Sequence, residues 1–179
     1  MTEDPLSARL AELRRAFDGS FAHPPAAAAD GERVEHLLAV RAGDHAYAVR
    51  LAQVRSLHAV RRIVAAPGRE PAFLGLTGLR GAVVPVYGLA AWLGHEAGRA
   101  PAWFVLAAGS DPVAMAFEGY DGHRTVPRGQ LPPGGGRGPG DLPVIRMGSD
   151  VRPLLDLAAV VAAIKRRIAP PALPEERQT

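Results

Sequence analysis

The sequence predicts a mainly β fold, arranged as two small barrels with a helix at the end of the chain. Three observations carry this reading. Apolar runs of strand length recur from Val34 to Leu155. Turns containing Gly or Pro punctuate them at short intervals. Helical periodicity is confined to the two ends of the chain. Regularly spaced short strands with such turns belong to barrels and sandwiches, and ten or so strands exceed one small barrel.

The elements follow in order. Residues 1–18 read as an amphipathic helix or arm: Asp4 suits the N-cap, Pro5 the first helical position, and Leu6, Leu10, Leu13 and Phe17 form one stripe. A helix this short is marginal alone, so it docks on its own domain or serves as a partner-binding arm. Residues 19–33 have linker composition, with His23-Pro24-Pro25 followed by four alanines. Val34 to Arg41 is a strand, Ala42-Gly43-Asp44 a three-residue turn, and His45 to Arg50 the returning strand of a hairpin. Leu51 to Val54 fits one helical turn, and Arg55 to Val64 a strand pair or one bent strand. After Pro67-Gly68 and Pro71 come strands Leu74 to Leu79 and Ala82 to Tyr87, then a short helical segment, Leu89 to Leu93, stopped by Gly94.

Ala102 to Ala108 is a buried-strand run, Val113 to Phe117 its return, and Tyr120 to Val126 a further strand. Pro127 to Gly140 holds six glycines and four prolines in fourteen residues, which predicts a long surface loop with no core element. Leu142 to Met147 and Val151 to Leu155 pair around Gly148-Ser149-Asp150. Asp156 caps a closing helix to Ile168, whose apolar stripe is Leu157, Val160, Val161, Ile164 and Ile168. Lys165, Arg166 and Arg167 in its last turn suit the helix dipole. Residues 169–179 are expected to be disordered.

Composition bounds the function. Of 179 residues, 47% are apolar, enough for a sizeable core. There is no cysteine, which removes disulfides and thiolate metal sites and fits a reducing compartment. No apolar run is long enough to span a bilayer, and Glu3 and Asp4 stand where a secretory signal would be basic, so a cytoplasmic protein without membrane insertion is expected. The net charge is only +3, with a single lysine and no basic stripe interleaved with aromatics, so nucleic acid is not an expected partner.

Chemistry-bearing patterns are missing. The histidines, His23, His36, His45, His58, His95 and His123, show no metal-ligand spacing, and no serine sits in Gly-x-Ser-x-Gly. Gly134-Gly135-Gly136-Arg137-Gly138 lacks the Gly-Lys-Ser/Thr and the strand-to-helix context of a phosphate loop. No cofactor, metal or catalytic residue is predicted. The most informative stretch runs from Phe73 to Leu89. It places Arg80 at a strand–turn–strand junction, with Gly81 supplying a positive φ and Pro85 demanding an edge or bulged position. Leu79, Val83 and Val86 read as core in preference to contact. A charged group at a rigid turn points to a surface that holds another protein.

This stretch resembles the CheW-like family, the coupling proteins of bacterial chemotaxis arrays. Gly75, Leu79-Arg80-Gly81, Val83-Val84-Pro85-Val86 and Leu89 match the family pattern in order. Leu37 to Val40, Tyr47-Ala48-Val49 and Val54 resemble its opening hairpin, and Pro153-Leu154-Leu155-Asp156-Leu157 its closing strand and helix cap. The resemblance covers about Val34 to Ile168, so 34–168 is read as the CheW-like domain. It implies two intertwined five-stranded SH3-like barrels, no enzyme activity, and a scaffold between a CheA-type histidine kinase regulatory domain and the cytoplasmic tip of a chemoreceptor. It also implies recruitment to membrane-associated receptor arrays and an apolar groove between the barrels that would pack a helix. The implied partner-binding residues are Arg80, Leu79, Gly81, Gly78, Val83 and Arg55. The chain departs from the pattern at Gly78 (usually Asn), Gly88 (usually Asp), Arg55 (usually an acid) and Phe117-Glu118 (usually Val-Asp). These changes alter electrostatic matching, which governs partner choice. A regulatory module of another signalling or motility system, acting through the N-terminal arm, is the alternative.

Overall fold

The computed structural model describes residues 33–96, 98–110, 112–133, 136 and 142–168. The expected N-terminal helix, nearly all of the linker and the C-terminal tail lie outside them.

The strands are β1 (Val34–Ala42), β2 (His45–Arg50), β3 (Val54–Ala59), β4 (Phe73–Leu79), β5 (Ala82–Gly88), β6 (Trp103–Ala107), β7 (Ala114–Phe117), β8 (Gly119–Pro127), β9 (Val144–Met147) and β10 (Asp150–Leu155). Two α-helices, α1 (Leu89–Trp92) and α2 (Leu157–Ile168), and single 3-10 turns at Leu51–Gln53 and Arg128–Gln130 complete the set. The strands form two five-stranded sheets, ordered β8-β1-β2-β10-β9 and β3-β6-β7-β5-β4. The chain starts the first barrel, builds the whole of the second, and returns to finish the first. That return makes the barrels intertwined. It rests on the long antiparallel β1–β8 pairing and on a parallel β2–β10 contact at Ala48 and Leu154.

Period-two burial explains why the central strands are apolar on both faces. Leu37 and Ala39 of β1 and Ala48 of β2 point into the first barrel with Val126, Ile145 and Leu154. Their neighbours Leu38, Val40, Tyr47 and Val49 point the other way, into a core shared with Val105, Met115 and Phe117. In the second barrel, Val84, Val86, Phe104, Leu106 and Ala116 line the interior. Strands buried on both faces read as continuous apolar runs. Each fully buried side chain contributes roughly 2 kcal/mol, so double burial outweighs any single turn.

Helix α2 does not cap one end. Leu157, Val160, Val161 and Ile164 sit in the shared core. Asp156 caps it as expected, its Oδ1 accepting the Ala159 N–H at 3.0 Å. Gln53 adds a second link: its Nε2 donates to Asp156 Oδ1 (2.9 Å), and its Oε1 accepts the Leu157 N–H (3.0 Å). At the other end of α2, Arg167 pairs with Glu70 at 3.1 Å and lies 4.5 Å over the Trp92 ring. Buried Arg152 of β10 joins Asp121 of β8 at 3.0 Å, and Asp121 also holds Arg41 at 3.1 Å, stapling the first barrel.

Several expectations change. The β1–β2 turn has two residues, not three, because Ala42 pairs with His45; Gly43 alone takes a positive φ (60°). Segment 55–64 is one strand followed by an extended stretch that bridges β4 at Val64 and Leu76. The Gly/Pro-rich segment does supply a buried position. Gly136 donates to Leu154 O (3.1 Å) and accepts from the Asp156 N–H (2.9 Å), a pairing that needs only backbone. Pro85 lies on β5, which is internal; the edge strand is β4. Leu76 turns both its backbone polar groups to Val64, so its pair with Pro85 carries no hydrogen bond, and the β7 pairing starts only at Val86. Proline fits because no ladder bond is asked of its nitrogen.

Candidate functional site

The β4–β5 hairpin closes at the Leu79–Ala82 pair and leaves Arg80-Gly81 as a two-residue turn. Both residues have positive φ, 51° and 82°. That is the type I′ pattern, whose first position usually holds Asn, Asp or Gly. Among the described residues, Arg80 is the only non-glycine in this region of φ. The left-handed conformation costs a side-chain-bearing residue about 1–2 kcal/mol, so the hairpin holds Arg80 against its own preference. The rest of the strand is equally constrained. A Cβ on Gly75 (φ 130°) would lie 2.1 Å from Val64 O, so glycine lets segment 60–64 pack against β4 and close the barrel.

Around the turn the surface has two sides. On the inner side, an open depression of about 420 Å³ is lined by His58, Arg61, Gly78, Leu79, Arg80 and Phe104, among others. His58 rests against the Phe104 ring, 5.1 Å between centroids, and its Nε2 meets Ser56 Oγ at 2.8 Å. Gly78 contributes only backbone to the depression; paired with Val83, it has open space on the outer face where a side chain would stand. On the outer face, Val83 is 68% exposed, opposite Gly78. Half-buried Pro85 and Leu76, and Val64 bridged to Leu76, share that face. An apolar strip therefore runs beside the cationic tip.

Charge on this surface has one sign. Among the described residues, neither Arg61 nor Arg80 has an ion-pair partner, and Glu70 is engaged by Arg167. Such a surface can hold acidic and apolar groups together. The Ser56–His58 pair lacks the carboxylate that orients a catalytic histidine, since no described acid bonds to the other ring nitrogen. No helix among the described residues is long and apolar enough to cross a membrane.

The structure thus gathers Gly78, Leu79, Arg80, Gly81 and Val83 in one hairpin. Leu79 packs on the interior of the second barrel, and Val86 is core, but Val83 is not core as expected; it faces solvent. Arg55 stands apart. It lies at the far end of β3 from Ala59, roughly 13 Å along the strand, with its Nη2 on Gly109 O at 2.6 Å. Of the departures, Gly88 is the N-cap of α1 and offers no side-chain cap, while Glu118 braces the β1–β2 turn by accepting the Gly43 N–H at 2.7 Å. Sequence reasoning missed His58, Arg61, Val64 and Phe104, which only barrel closure brings to the hairpin.

A family model described as the CheW-like domain matches residues 36–165. In three dimensions the chain is similar to the scaffolding protein TtCheW from Thermoanaerobacter tengcongensis, with a TM-score of 0.60 and 12% identity. The match covers 71% of this chain and 87% of that one, and it is a likeness of fold. No curated protein matches the chain in sequence.

Proposed function

Because the chain belongs to the CheW-like domain family, we propose that it is a non-enzymatic adaptor coupling chemoreceptor tips to a CheA-type histidine kinase at receptor arrays in the cytoplasm. The observation that carries this is the Arg80 turn: an arginine with no ion-pair partner among the described residues, held at φ 51° beside exposed Val83. A protein whose role is to hold others keeps a charged group and an apolar strip fixed and accessible at little entropic cost on binding. Arginine at such positions is a common interface hot spot. The departures at Gly78 and Arg55 favour a partner matched to a more open and more basic surface than the family pattern provides.

Calorimetry with the kinase regulatory domain and with a receptor-tip hairpin tests the proposal. Saturable binding to both is expected, and binding to neither would refute it. Deleting residues 1–30 leaves kinase binding near normal on this reading. Its loss would move the contact to the N-terminal arm.

A further inference from the structure

Strand register brings together two histidines that the sequence separates widely. His36 is on β1 and His123 on β8, diagonal across the β1–β8 pair: Leu38 faces His123, and His36 faces Thr125. His36 Nδ1 and His123 Nε2 are 3.0 Å apart, at the surface. The ring centroids are 5.1 Å apart and the planes differ by 25°. That separation exceeds the nitrogen contact by about two ring radii, so the rings meet edge to edge with their facing nitrogens near one plane. We infer that this pair is a two-histidine site for a divalent transition ion of the Cu²⁺ or Ni²⁺ class.

The chemistry follows from the imidazoles. Neutral imidazole suits copper, nickel and zinc, and hard cations such as Mg²⁺ and Ca²⁺ take oxygen instead. Metal–nitrogen bonds of about 2.05 Å to two nitrogens 3.0 Å apart subtend about 94° at an ion lying off the line that joins them, so both exposed rings turn to aim their lone pairs at it. That angle matches adjacent corners of a square-planar or octahedral ion better than the wider angle of a tetrahedral one. The ion replaces the proton that the two rings now share and leaves its remaining positions to water or to a partner's side chains. Thr125 Oγ1, 3.2 Å from His36 Nδ1, is placed to hydrogen-bond such a water. Arg124 directs Nη1 onto the His123 carbonyl at 2.9 Å.

The other histidine pair does not offer this. His45 and His95 stack face to face at 4.1 Å, and His95 Nε2 is taken by the Tyr47 hydroxyl. No group of three or more ligating residues exists among the described residues, so the site is a chelating pair and not a closed cage.

Titration of the untagged full chain with CuCl₂, NiCl₂ and ZnCl₂ at neutral pH tests the inference. One ion per chain is expected, with copper bound more tightly than nickel or zinc. His36→Gln and His123→Gln should each weaken copper by at least about tenfold, the scale of lost ligand support. His45→Gln should leave it unchanged. Circular dichroism confirms that each variant is folded. Should a histidine variant unfold, copper-induced broadening of the His36 and His123 ring protons in the unaltered chain decides: broadening of those two supports the site, and broadening centred elsewhere overturns it. Copper affinity undiminished in both folded variants, or no binding at all, also overturns it.

Discussion

At Arg80 conformation and chemistry are in conflict. Its φ of 51° suits Asn or Gly, yet the position carries a long cation. Strain of this kind persists where a function demands the side chain. Arg80→Asn should therefore raise stability by about 1 kcal/mol, read as a higher urea midpoint, while weakening partner binding. No gain in midpoint would mean that the turn carries no strain. The arginine and its glycine neighbour were legible in the sequence; the positive φ of Arg80 was not. A Leu-Arg-Gly triplet allows turns with one or two left-handed residues, and only the Leu79–Ala82 pairing selects the latter. Val83 was misread because an apolar residue in a strand is core by default, whereas here its face of the hairpin is uncovered.

At the level of elements, two small links decide how the barrels and α2 hold together. Gln53 satisfies the Leu157 N–H and the Asp156 carboxylate at once, from the 3-10 turn that begins the crossover to the second barrel. Gln53→Ala should cost about 1–2 kcal/mol, the scale of a lost cap with a half-satisfied neighbour. A denaturation midpoint equal to that of the unaltered chain would contradict this. The second link is the hairpin tip held by His45, Tyr47 and His95. Burial, and then the His45 ring, hold the His95 pKa below its ordinary value of 6.5. The folded state therefore resists a proton that the unfolded chain accepts. This contribution is whole above pH 6.5 and is lost as the pH falls below it. Urea midpoints at pH 7.5 and 5.5 should fall less in His95→Gln than in the unaltered chain; equal falls would remove His95 from the account. Asp156 as a cap was readable from its place before an apolar stripe. Gln53 was not, because its partner lies about a hundred residues away and no local pattern marks it.

For the whole molecule, the sequence carried the architecture because both faces of the central strands are buried, leaving long apolar runs between sharp turns. It could not carry the assembly of the site. The depression beside Arg80 exists only because β3, segment 60–64 and β4 close the second barrel, bringing His58, Arg61 and Phe104 to the hairpin tip. Among the described residues, Arg61 and Arg80 form a cationic rim without ion-pair partners beside an apolar strip, the surface proposed above to hold partners. The most direct test is one calorimetric comparison of the unaltered chain and Arg80→Glu, each titrated with the kinase regulatory domain and with the receptor tip. At least one affinity should fall by about 2 kcal/mol or more, roughly thirtyfold, with the fold intact. Affinities unchanged for both partners would contradict it.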